Sequence, residues 1–409
     1  MNARRRRSRG SCSSLSAALG ALGVLCLVLR ASPALAKKRL RILSSDFVPA
    51  ARPSVRKIRV GVILHAHTIR LACQGRCTFE DAAGKLYYIV QGKRYTVRAL
   101  RRGLKLGGLI VGARTIVRTK AMTDCALLNG RCYRGEIVLQ RDDGGTVTAV
   151  DVLDIEDYLM GVLPDEMDPS WPLEALKAQA VVARTYAYTQ LDKYGDEGYD
   201  LTADTRSQMF GSLAQVPARV RKAVNETAGQ VLGYRGQILD AYYHSCSGGH
   251  TADEAEIWGG AEPPTPLRGV RDPYSRGCPQ YDWTAYVPLA QVLAAVEPGS
   301  IVAGPLKSFH IGHAYWDGYV KNFVADIDGD PISVAAGAFR RRIGAALLKS
   351  DRIYRVRVQE NEVEFKGHGL GHGVGLSQWG ARRQAELGRS YERILKYYFP
   401  GSYLAVVVQ

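Results

Sequence analysis

From residue 58 the chain shows alternating apolar and polar positions. Residues 58–64 (IRVGVIL) are β-branched and alternate. Short runs follow at Leu71, 78–79, 87–90, 95–97, 109–111 and 115–117, separated by Gly, Asp and Asn clusters. Turn signals every eight to twelve residues or so mark a β-rich region. Residues 136–139 and 146–152 read as a hairpin around Asp142-Asp143-Gly144-Gly145. The period then changes. Leu173, Leu176, Ala180, Ala183, Ala187 and Leu191 recur at three and four residues, an apolar stripe of helical period. Lys177 and Arg184 lie on a neighbouring face of that helix. Just before it, Pro164, Pro169 and Pro172 crowd one short stretch. A residue before proline is pushed away from the helical region. The stretch is therefore predicted to stay irregular as far as Trp171, as a rigid loop carrying Asp165 and Glu166. Ser170 is expected to cap the helix that follows, with Glu174 near its positive end.

Beyond the helix, residues 216–229 are helical in pattern and 230–241 read as strand, turn, strand. Helices are predicted at 289–296, 339–348, 378–387 and 391–399, and strands within 309–328 and 353–365. The sum is an α+β chain: a β-rich region at 37–140 and a mixed helix and strand core at 141–409.

Composition narrows the compartment. An apolar fraction of 46% and a charged fraction of 23% over 409 residues are those of a globular protein. The net charge of +16 favours polyanionic surroundings. No nucleic-acid fold signature accompanies it, which leaves anionic wall polymers or a phospholipid surface. Residues 1–36 carry six arginines and no acid, then an apolar run at 15–29, then Ala34-Leu35-Ala36. This is the pattern of an export signal, too short for an ordinary membrane span. The mature chain is expected outside the cytoplasm (periplasmic, wall-associated or secreted), touching a membrane only if that signal stays uncleaved. Six cysteines lie beyond it. Cys73 with Cys77 and Cys125 with Cys132 are close enough to pair locally, and Cys246 has Cys278 as a further partner, among about fifteen possible connectivities.

Two stretches concentrate candidate chemistry. AYYHSCSGGHT (241–251) sets His244, Ser245 and Ser247 beside adjacent glycines, which let a backbone approach a ligand closely. His244, Cys246 and His250 are also a possible nitrogen, sulfur, nitrogen set for zinc. KGHGLGHGVGLSQWGARRQAELG (366–388) alternates glycine with His368 and His372, then opens a helix with Gln378 and Trp379. It lacks the lysine of a phosphate loop and the glutamate of a zinc protease. These residues read as cleft lining.

Three blocks resemble the SpoIID/LytB family of stage II sporulation protein D lytic transglycosylases and LytB amidase enhancers. They are VLDIEDYLMGVLPDEM leading into the helix, YHS-SGG at Tyr243–Gly249, and GHG-x-G-x-SQWGA near the C-terminus. The resemblance implies a protein that acts on, or binds to, peptidoglycan glycan strands. It implies Glu166 as the catalytic acid and base, with Gln208, His244, Ser245, Ser247, His368, His372, Gln378 and Trp379 lining the cleft and Trp379 as a stacking platform for a sugar ring. Lys177 and Arg184 would lower the Glu166 pKa if close to it, so they are placed on substrate oxygens or developing negative charge instead. The alternative the resemblance carries is a non-catalytic enhancer with a cell-wall amidase as partner. Some members hold zinc through a Cys and a His in the stretch matching TADTRSQMFGS (202–212). Here Thr202 and Arg206 stand near those positions, so no cofactor is expected. Of the neighbouring acids, Asp165 and Glu156 are expected to tolerate amide substitution. For export, N-terminal sequencing of the extracytoplasmic protein should begin at or near Lys37. An intact Met1 on a membrane-bound product would contradict signal removal.

Overall fold

The computed structural model of this chain describes residues 39–42, 57–81, 83–121, 123–260, 262–298 and 305–408; the export-type segment 1–36 lies outside them. The hairpin read around Asp142–Gly145 forms at the centre of a seven-stranded sheet. Lys57–Ala66, Val147–Asp154, Glu136–Arg141 and Arg114–Thr119 lie side by side and antiparallel, with Cys77–Glu80 and Leu86–Ile89 completing one edge. Alternation settles the faces. Ile58, Val60, Ile137, Leu139, Val147, Ala149 and Leu153 turn into the main core, while Val138 and Val150 meet Tyr199 on the other side. A six-stranded sheet packs beside it, built around Ile69–Gln74 and Tyr95–Leu100. It includes Gly103–Leu106, Cys125–Leu128 and Arg131–Tyr133, three short strands whose patterns are too brief to read from sequence. The Cys73–Cys77 disulfide links one sheet to the other, and Cys125–Cys132 closes a hairpin. The fold is α+β.

The Pro-rich stretch departs from expectation. It is not a loop: helix α1 (Ile155–Glu166) runs through Pro164. Proline removes the N–H that would have bonded the Met160 carbonyl. The loss falls in the last turn, and the helix ends two residues later with the Met167 N–H on the Leu163 carbonyl at 2.9 Å. Tyr158, Leu159, Val162 and Leu163 are all fully buried. That packing outweighs the pre-proline bias at Leu163. Helix α2 (Leu173–Thr189) follows with its predicted stripe buried. Ser170 does not cap it. Pro172 occupies the cap position, and the Ser170 N–H donates to the Asp168 carboxylate at 2.8 Å.

A buried ion pair locks these helices together. Glu156 in the first turn of α1 and Arg184 in α2 meet side by side, with Nε to Oε1 at 2.9 Å and Nη2 to Oε2 at 2.6 Å. Arg184 is fully buried. Its guanidinium also donates to the carbonyls of Ala180, Val224 and Gln230, and the Gly229 N–H donates to Glu156. The same pair thus fixes the end of helix α3 (Ala218–Glu226) and the start of the strand Gln230–Tyr234. That strand pairs with the C-terminal strand Tyr403–Val408, which pairs in turn with Arg39–Ile42.

The remainder builds the far wall of the cleft. Helix α4 (Glu254–Trp258) is short. Helix α5 (Leu289–Val296) forms as predicted. It packs with helix α6 (Ala336–Ile343) and two three-stranded sheets around Phe309, Phe323, Phe339 and Phe365. Helix α6 starts earlier than expected and stops before Gly344, so 344–348 is not helical. Helices α7 (Gln378–Glu386) and α8 (Tyr391–Tyr398) close the chain against α2.

Removing one partner of a buried pair strands the other charge, at a cost of about 3–5 kcal/mol. Glu156→Gln, expected from sequence to cost far less turnover than Glu166→Gln, should therefore be costly to the fold. It should lower the unfolding free energy by about 3 kcal/mol in urea denaturation. A midpoint equal to wild type would show that the pair does not hold the helices.

Candidate active site

Glu166 is the last residue of α1, so its side chain emerges where the helix runs out. One carboxylate oxygen accepts the Met209 N–H at 2.8 Å. The Tyr243 hydroxyl donates to the same carboxylate. That hydroxyl is itself set by a chain of hydrogen bonds. The Tyr158 hydroxyl donates to Gln208 Oε1 at 3.1 Å, and Gln208 Nε2 donates to the Tyr243 oxygen at 3.1 Å. The Tyr243 proton is thereby left for Glu166. Burial is the largest influence on Glu166 and raises its pKa; the Met209 N–H and Tyr243 lower it, and Asp165 raises it. The net result is a pKa above the ordinary glutamate value. Such a group holds its proton closer to neutrality than a solvated glutamate does.

The parallel pairing of Tyr243–His244 with Leu376–Ser377 brings the two glycine-rich motifs together. Close approach demands glycine there: a Cβ on Gly371, at φ +112°, would lie 2.8 Å from the His244 Cβ. The two imidazoles meet edge to face, centroids 5.7 Å apart. His372 Nδ1 accepts the Val374 N–H at 3.1 Å, so Nε2 carries the proton donated to the Tyr243 carbonyl at 2.9 Å. His244 donates from Nδ1 to the Val374 carbonyl at 3.1 Å, leaving Nε2 as a buried lone pair without a partner. Burial brings the pKa of His244 down to about 3, helped by His372, and that of His372 down to about 4. Both rings are neutral at physiological pH.

These residues line a cleft of about 720 Å³. Glu166, His244, Ser245, His372 and Gln378, all expected from the sequence, face it. Gln208 lies behind the wall and positions Tyr243. The other expected residues are elsewhere. Arg184 is consumed by Glu156, and Lys177 by Glu174 and Glu226 at 2.9 and 2.8 Å. Ser247 is fully buried and donates to Asp272 at 2.7 Å. His368 sits on Asp282 at 2.6 Å, between Tyr281 and Tyr354. Trp379 packs edge-on against Trp171, with the Arg382 guanidinium over its ring. Trp258, by contrast, lines the cleft, packs on Tyr242 and His372, and stays 48% exposed. Trp258, Tyr186, Lys193 and Arg340 also line it, without a pattern in the sequence that marks them.

The zinc set His244, Cys246 and His250 does not converge. His244 is held by Val374, the Cys246 thiol points to Ser275, and His250 donates to the Thr251 carbonyl and faces Trp316. The positions matching the family's Cys and His do not fit a metal either. Thr202 bonds Asp204, and Arg206 is paired with Asp204 at 2.8 Å. Among the described residues no cluster of three or more His, Cys, Asp or Glu is arranged to hold a metal ion.

Since Tyr243 stabilises the ionised form of Glu166, Tyr243→Phe should raise the Glu166 pKa further. Carbon-13 NMR titration of the Glu166 carboxyl carbon checks this; an unmoved or lowered titration would remove Tyr243 from the site's electrostatics.

Comparison with known proteins follows this geometry. The profile of the SpoIID family, described as Stage II sporulation protein, matches residues 143–234, which contain α1, α2 and the strand tied to them. An uncharacterized protein of Brachyspira hyodysenteriae is 32% identical over 276 residues, covering 67% of this chain and 72% of that protein. The amidase enhancer of Bacillus subtilis is 33% identical over 60% of this chain and 40% of its own length. Stage II sporulation protein D of Bacillus subtilis is 27% identical over 63% of this chain and 76% of its own. On this similarity, the chain belongs to the SpoIID family of stage II sporulation proteins.

Proposed function

We propose that this protein acts in the cell wall as a lytic transglycosylase on peptidoglycan glycan strands. The wall setting draws on the names of its relatives, a sporulation protein and an amidase enhancer. The basic, apolar and small-residue order of 1–36 supports export, as do two disulfides. The observation that carries the reaction is a single acid. Glu166 is the one carboxylate among the described residues lining the cleft, and its pKa is raised. A glycosidase that uses water needs two carboxylates. When the nucleophile belongs to the substrate, one group serves first as acid and then as base.

In this reading a sugar ring stacks on the exposed face of Trp258. Glu166 protonates the oxygen between N-acetylmuramic acid and N-acetylglucosamine. The muramic acid C6 hydroxyl attacks its own C1 and gives its proton to Glu166, closing a 1,6-anhydro ring. Tyr243 and the Met209 N–H hold the carboxylate formed between the two transfers. His244 Nε2 accepts a hydrogen bond from a sugar hydroxyl.

The second reading, an enhancer that stimulates an N-acetylmuramoyl-L-alanine amidase, is favoured by the 33% identity to the amidase enhancer. Purified mature protein incubated with glycan strands separates the two. Products lighter by one water than hydrolysis products, formed without a partner enzyme, support the first. Activity seen only with added amidase supports the second. Glu166→Gln should lower turnover at least about a hundredfold while strand binding persists. Wild-type activity should fall as pH rises through the Glu166 pKa, because the acid form performs the first step. Normal cleavage by Glu166→Gln would exclude the mechanism.

A further inference from the structure

We propose that Cys246 and Cys278 close a third disulfide, which fastens both ends of the chain segment carrying Trp258. The two thiols converge on one backbone atom. Cys246 Sγ lies 3.9 Å from the Ser275 carbonyl oxygen, and the same oxygen accepts the Cys278 N–H at 3.0 Å. Both are free thiols in this structure, each within the other's electrostatic reach: Cys278 raises the pKa of Cys246, and Cys246 lowers that of Cys278. Both are buried, at 2% and 5% exposure. Cys246 is held from the other side by a two-way backbone pairing with Leu370, at 3.0 and 2.8 Å, and Leu370 lines the cleft. Two thiols so placed have no part in the proposed reaction. The chain already forms two disulfides, so the conditions that make those reach this pair as well.

The position gives the bond a purpose. Residues between Cys246 and Cys278 leave the cleft wall, form α4 with Trp258 at its end, and return through the 3-10 turn Pro273–Gly277. Trp258 is followed by Gly259 and Gly260, both at positive φ and without close neighbours, so little packing restrains the excursion there. Joining its two ends restricts the conformations open to the unfolded and partly opened chain. The Tyr243–Ser245 wall is tied down by the same bond.

The thiolate of one cysteine attacks one sulfur of a small-molecule disulfide and releases one thiolate. The thiolate of the other then attacks the protein sulfur of the mixed disulfide and releases the second. The protein loses two electrons and two protons; the oxidant becomes two thiols. Burial requires this to happen before the segment packs and shields the bond from reductant afterwards.

The test is to refold the mature protein with glutathione disulfide, denature it without reductant, alkylate it, and map the peptides by mass spectrometry. The expected result is no alkylated cysteine and a peptide joining Cys246 to Cys278. Both cysteines alkylated while Cys73–Cys77 and Cys125–Cys132 have formed would overturn the proposal, as would either cysteine joined to a different partner. Limited trypsin digestion gives a second readout. The Cys246→Ala/Cys278→Ala protein should be cut at Arg268 and Arg271 severalfold faster than the oxidised wild type. Equal rates would show that the bond does not fasten the segment.

Discussion

The Glu156–Arg184 pair is the constraint from which the site's geometry follows. A bidentate carboxylate–guanidinium contact fixes orientation as well as distance. Here it joins the first turn of α1 to the middle of α2, while Gly229 and the carbonyls of Val224 and Gln230 satisfy the remaining groups. Four segments thus share one node, and both carboxylate oxygens and all three guanidinium nitrogens have partners. Unpaired, either charge would be costly in that interior. The pair sits at the start of α1 and Glu166 at its end, so the helix transmits the fixed direction to the carboxyl. Pro164 ends the helix close to Glu166 and leaves that carboxyl at a terminus, where neighbouring segments reach it.

What reaches it has an internal logic. A catalytic acid must be partly desolvated to hold its proton, yet the carboxylate formed after transfer must also be tolerated. Burial serves the first need, while the Met209 N–H and Tyr243 hydroxyl serve the second. Neither donor is free to turn away. Met209 is backbone, and Tyr243 is oriented through Gln208 and Tyr158. The two imidazoles add no charge to this balance. Their neutral state follows from burial, while the N–H and carbonyl of the Val374 peptide assign opposite tautomers to them.

How much of this could be read from the sequence depended on whether a signal was local. The stripe in α2 and the Asp142–Gly145 hairpin were readable because period and turn chemistry are properties of neighbouring residues. The helical state of 155–166 was not, because the proline argument is local and the burial that overrides it is tertiary. Arg184 and Lys177 show the same divide. A cation on a helix beside a candidate carboxylate reads as a substrate contact until the structure shows the acids that occupy it. The motifs containing His244, His372 and Gln378 did reach the cleft, since their glycines are required by the strand pairing that builds the wall. Trp379 lies in such a motif and Trp258 does not. Only packing shows that the first ring is covered by Trp171 and Arg382 while the second stays open.

The placement of the two tryptophans bears on how such a site can work with one carboxyl. In the proposed reaction, with no second carboxylate among the described residues lining the cleft to take up positive charge at the anomeric carbon or to activate water, the substrate's own hydroxyl must meet that carbon in the right orientation. Proximity and alignment can supply several kcal/mol of the barrier, but only if the ring is held flat and in register with the acid. Trp258 can supply that hold only if it keeps its distance from Glu166. It packs against His372 and against Tyr242, the residue just before the strand that delivers Tyr243 to Glu166. The acid's partner and the sugar's platform are therefore mounted on adjacent residues, Tyr243 and Tyr242, of a single stretch of backbone. A shift of that stretch would displace both together and preserve their relation, which is what a one-carboxyl reaction most needs.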